Sequence, residues 1–189
     1  MKLDYAIGQL SAAARQAGAA KINVILYRAL ATAELNAPTA VQGAFIPVGN
    51  VFDALVAMGK VLQQSTRNLL IVDPYMDEKV LTDFAGLAPA GVTLHLLADQ
   101  KDHKPTLKPA VARWTGQYGA QRPLEARLAA PRSLHDRLIV VDGVGAWTLT
   151  QSFNALAARS PASIVRVDAE TAALKVAAYA GMWQAAMPL

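Results

Sequence analysis

The spacing of apolar residues changes character along the chain, and each change predicts an element. In residues 2–35, Leu3, Ile7, Leu10 and Ala14, then Ile22, Ile25, Leu26 and Ala29, recur every three or four positions, which predicts helix, divided at Gly18. The stretch from Asn36 through Pro38 to Gly43 reads as a connector. Val51, Leu55, Met58 and Leu62 mark one face of a helix that Asn50 can cap, running to about Gln64. The period then vanishes. Leu69-Leu70-Ile71-Val72 is an unbroken apolar run between Asn68 and Asp73-Pro74, as expected of a strand buried on both faces. Asp77 can cap a helix through about Leu87, and Val92–Ala98 reads as a second strand. Helix, strand, helix, strand predicts parallel crossover units.

The remainder continues the alternation. A short helix is expected over 106–118, and a strand over Leu124–Leu128. Arg137–Asp142 and Ala146–Thr150 form a hairpin across Gly143–Gly145, followed by a strand to Asp168 and a helix over Ala169–Trp183. The prediction is a single α/β domain over 46–189, its mixed or parallel sheet flanked by helices, preceded by a helical segment, 1–45.

Composition narrows the chemistry. The 189 residues include no cysteine, which excludes disulfide scaffolds, thiolate metal sites and a cysteine nucleophile. The 53% hydrophobic content is largely alanine, and no run approaches the ~20 apolar residues of a membrane span. Asp4 and Arg15 argue against a secretory signal, so a cytoplasmic protein is expected. Lys101–Arg137 holds eight of the 18 bases and three of the 14 acids. That segment therefore carries +5 and the rest −1, a patch suited to polyanions such as nucleic acid. Trp114, Trp147 and Trp183 read as core, although Trp114 with Tyr118, inside the basic segment, can instead meet a base.

Candidate chemistry lies at the start of the hairpin. His135 and Arg137 are two apart and project to one face. Together they can bind a phosphate, Arg as a two-pronged donor and His as a titratable nitrogen. Asp142, at the other end of the strand, can cap the turn. Ser152 and Asn154 can return beside His135, bringing a hydroxyl and an amide, or can simply cap a short helix. Asp73 and Tyr75 end the first buried strand, where open α/β sheets bind ligands.

These residues resemble the signature of the phospholipase D superfamily, H-x-K-x-x-x-x-D followed by a G-S-x-N-like element. His135, Arg137 and Asp142 occupy the H, K and D positions, and Ser152 and Asn154 the Ser and Asn. The resemblance covers about residues 48–168. It implies catalysis by His135, Arg137 and Asp142, with phosphate bound by Ser152 and Asn154, and with Asp73 and Tyr75 at the same site. It also implies a phosphohistidine intermediate, no metal or other cofactor, and a homodimer, because this chain carries one motif where two must meet. Arg137 replaces Lys, Gln151 replaces Gly, and the Asp142-to-Ser152 spacing is longer than usual. The expected function is a phosphodiesterase, with nucleic acid favoured as substrate over phospholipid. The alternative is an inactive module of the same fold that binds nucleic acid or another phosphate-bearing partner.

Overall fold

The computed structural model describes Ile22 and residues 43–189. The expected helical segment therefore lies almost wholly outside the described residues. Ile22 is helical, and residues 43–45 belong to a strand. That strand, β1 (Gly43–Ile46), precedes α1 (Val51–Leu62), β2 (Asn68–Val72), β3 (Thr93–Asp99), α2 (Leu107–Tyr118) and β4 (Leu124–Ala129). The chain continues with β5 (Leu138–Val141), β6 (Gly145–Leu149), β7 (Ala162–Arg166), α3 (Ala169–Ala185) and β8 (Met187–Pro188).

The eight strands of the described residues form one mixed sheet in the order β1-β7-β6-β5-β2-β3-β4-β8. β2, β3 and β4 are parallel, as the crossover pattern predicts, and every other pairing is antiparallel. The stepwise order β2, β3, β4 puts both crossovers on one face, since such connections share a hand. Leu81 and Phe84 from the first crossover and Leu107 from the second accordingly join Met58 and Leu62 of α1 in one core layer. On the other face Ala172, Tyr179 and Trp183 of α3 cover Val72, Leu97, Leu138 and Val140. The central strands carry the deepest burial. Leu69, Ile71, Leu96 and Ile139 are wholly inaccessible to solvent, each contributing about 1.5–3 kcal/mol of apolar burial.

Two details depart from the expected elements. The first crossover, read as one helix, is a π-helical turn (Val80–Phe84) followed by a 3-10 turn (Ala85–Leu87). Asp77 lies just before it and accepts from the Lys79 N–H at 2.9 Å, but the π turn, with Lys79 at its N-terminal cap position, has no side-chain cap. β1 and β8 occupy the two edges of the sheet, and β1 runs across the expected boundary at residue 45. No described helix is long and apolar enough to cross a membrane.

Candidate active site

Five chain segments meet at one end of the sheet. β2, β3 and β4 finish there; β5, antiparallel to β2, starts there; and β6 finishes there. Topology thus gathers residues 73–75, 99–104, 130–137 and 150–154, although they lie far apart in sequence.

Asp73 follows β2 and is inaccessible to solvent. Its Oδ2 accepts from the Ser152 hydroxyl at 2.6 Å and the Phe153 N–H at 2.9 Å, and its Oδ1 from the Tyr75 N–H at 3.0 Å. Burial pushes this carboxyl above its ordinary range, against the pull of those three bonds and of the Arg137 charge. Asp73, expected among the phosphate contacts, therefore sits behind Ser152 and holds it; a buried acceptor with its oxygens already engaged does not face an anion.

Tyr75 is the pivot of the exposed part. The Arg137 guanidinium lies 5.4 Å and the Lys104 ammonium 5.7 Å from its ring centre, both within cation–π range. Arg137 Nε is buried with no hydrogen-bond partner among the described residues. Asn154 Nδ2 donates to the Tyr75 carbonyl at 3.1 Å, and Lys79 Nζ donates to the Asn154 carbonyl at 3.1 Å. Gln151, in the position the motif gives to Gly, turns its amide to the Ser160 hydroxyl at 2.7 Å.

Asp136 faces α3, where the Lys175 ammonium holds its carboxyl below the ordinary range and it also bonds Tyr179. Its neighbours in sequence flank it in the extended segment that leads into β5, and of the two Arg137 lies against the Tyr75 ring. His135 is solvent-exposed. The segment leading to it is anchored by Asp99, another inaccessible carboxylate at a strand end. Asp99 accepts from the Lys101 N–H at 2.8 Å and the Ser133 N–H at 3.1 Å, tying two loops together. Burial raises the Asp99 carboxyl, but backbone donors at Arg132, Lys101, Leu134 and Asp102 outweigh it and keep the group ionised below its usual range.

Asp142 is not part of this cluster. It follows β5 at the opposite end of the strands, five residues or roughly 16 Å along the chain from Arg137. Its carboxylate accepts from the N–H groups of Thr66, Arg67 and Asn68 at 2.8–3.2 Å and from the Thr66 hydroxyl at 2.7 Å. Burial opposes ionisation, yet those donors hold the carboxyl far below the usual range. With φ at +53°, Asp142 also forms the turn itself, a left-handed conformation Asp tolerates better than most residues. It clamps the α1–β2 connection to the hairpin. The expected basic face is likewise divided: Lys104 and Arg137 reach the site, whereas Arg122 donates to the Ala88 carbonyl at 2.6 Å and Arg127 pairs with Glu125 and stacks on Trp183.

Solved structures share this arrangement of strands. NucT from Helicobacter pylori matches with a TM-score of 0.57 at 10% identity, over 78% of this chain and 99% of that one. Nuc from Salmonella typhimurium, a phospholipase D family member, matches at 0.55 and 12% identity with the same coverage. This chain has the phospholipase D fold. No family model and no curated protein matches the sequence, so the likeness is one of backbone architecture.

Within the phospholipase D fold, three contributors lie outside the set that the sequence predicts: Lys104, Lys79 and Asp99. Asp99 has a signal, since Leu-Ala-Asp99 closes its buried strand as Ile-Val-Asp73 does. Lys104 lies in the basic segment with nothing to single it out from the seven other bases there. Lys79 has no signal at all.

Proposed function

We propose that this chain is a phospholipase D-type phosphodiesterase that acts on nucleic acid as a homodimer. The observation that carries the reading is the convergence on Tyr75 of two cations, Arg137 and Lys104, beside the Ser152–Asn154 turn that Asp73 holds. These two positive charges suit the non-bridging oxygens of a phosphodiester, whose charge grows as the phosphorus becomes five-coordinate. Lys104 also supplies the ammonium that the Arg137 substitution removes from the motif, and Gln151 is drawn aside by Ser160.

In this mechanism the lone pair of a His135 ring nitrogen attacks phosphorus. The bond to the leaving oxygen breaks, and the partner subunit's His135 gives that oxygen its proton. Water then attacks the phosphohistidine, its proton passing to the partner subunit's His135, which restores both histidines. A single motif per chain is the reason for the dimer.

The deciding experiment incubates the purified full-length chain with single-stranded DNA and, separately, with phospholipid vesicles, at low and high salt. Cleavage of DNA, with binding that weakens as salt rises, is expected. Salt-sensitive binding without turnover of either phosphodiester would reduce the protein to an inactive phosphate-binding module. Cleavage of the phospholipid alone would reassign the substrate.

A further inference from the structure

We infer that a groove beside the proposed phosphate site is a stacking subsite for a nucleobase of single-stranded nucleic acid. This rests on the phosphodiesterase reading and names what flanks the bound phosphate. The groove, about 560 Å³, runs between α2 and the first crossover and is lined by Glu78, Leu81, Thr82, Arg113, Trp114 and Tyr118 among others. That volume is in the usual range for small-molecule pockets.

Its aromatic wall is built and held. Trp114 and Tyr118, four apart on α2, share a helix face. Their ring centres are 4.9 Å apart and inclined by 57°. Trp114 Nε1 donates to the Arg122 carbonyl at 3.2 Å, which fixes the indole. Tyr118 remains 38% exposed and lines the groove, so its side chain can be reached by a ligand there. Arg113 adds a second flat, charged surface of the kind that stacks on bases.

Charge and connectivity select the occupant. Glu78 is adjacent in sequence to Lys79, whose ammonium bonds the Asn154 carbonyl. Thr106, also in the lining, is two residues from Lys104 on the Tyr75 ring. Lys79, Lys104, Arg113 and Arg137 therefore mark a cationic route from the phosphate site to the groove, complementary to a polyanionic backbone. Inside, the Thr106 side chain bonds Glu78 and holds its carboxylate below the usual range. An ionised acceptor can take an exocyclic amino N–H from a base edge. An acyl chain would leave Glu78, Arg113, Thr82 and Gln117 facing apolar surface.

The test measures binding of two probes by fluorescence anisotropy: a short single-stranded oligodeoxynucleotide and an abasic deoxyribose-phosphate oligomer of equal length. Tyr118→Ala, at an exposed position, is expected to weaken the oligodeoxynucleotide about tenfold and to leave the abasic oligomer unchanged, with Tm preserved. Equal losses for both probes, or none, would overturn the subsite. So would competition by short-chain phospholipid but not by mononucleotide, which would assign the groove to an acyl chain. Base-dependent binding without any cleavage would leave the groove standing and remove the catalytic reading; cleavage with Tyr118→Ala binding like the native chain would do the reverse.

Discussion

His135→Ala is expected to abolish phosphodiester cleavage, lowering turnover by about 10³-fold or more, the scale that follows when one group serves as both nucleophile and acid. Stability should not change measurably. His135 is exposed, and its segment is held by Asp99 through the Ser133 N–H and by Asp136 through α3. The check is turnover of single-stranded DNA alongside a thermal melt. A loss of activity with an unchanged Tm supports a chemical role; undiminished turnover removes His135 from the mechanism.

Asp73→Ala acts through the scaffold of the same site and should show in both stability and rate. It strips the acceptor from three donors, the Ser152 hydroxyl and the Phe153 and Tyr75 N–H groups. All three are then left without a partner beside a buried cavity, a loss of about 3 kcal/mol. Turnover should fall as well, because Ser152 loses its orientation. Combining Asp73→Ala with Ser152→Ala should cost turnover little beyond the larger single effect, since the two act as a unit. The pH dependence has a definite sign. The folded protein holds the Asp73 proton more tightly than the unfolded chain does, because burial outweighs its bonds. Stability from this group therefore falls as pH rises from the ordinary 3.8 through the raised value. Asp73→Asn should flatten that part of the stability profile, measured by urea unfolding across the acidic range. An unchanged profile would show that Asp73 does not titrate there.

The central strands were legible because their burial is written into contiguous residues. Leu69–Val72 is apolar without interruption, and it lies between two neighbours in the middle of the sheet. β1 and β8 were not legible. Gly43–Ile46 and Met187–Pro188 are extended because β7 and β4 offer them an edge, not because of any pattern of their own. The first crossover misled differently: Val80, Phe84 and Ala88 recur every four residues and suit an α-helix, while the wider π turn is set by packing. At the site, the motif residue Arg137 does reach Tyr75, next to the strand end that the sequence marks with Asp73. What no local pattern could supply was the pairing of Asp73 with Ser152, 79 residues apart. Nor could it show that Asp142, four positions beyond Leu138, turns away to clamp Thr66–Asn68.

The most direct measurement of the proposed chemistry is mass spectrometry of the full-length protein quenched during turnover of single-stranded DNA, under alkaline conditions that preserve a phosphorus–nitrogen bond. A phosphoramidate-linked nucleotide adduct on the peptide containing His135, absent from His135→Ala, is the expected result. Continued cleavage with no adduct on that peptide, or an adduct that survives in His135→Ala, would contradict it.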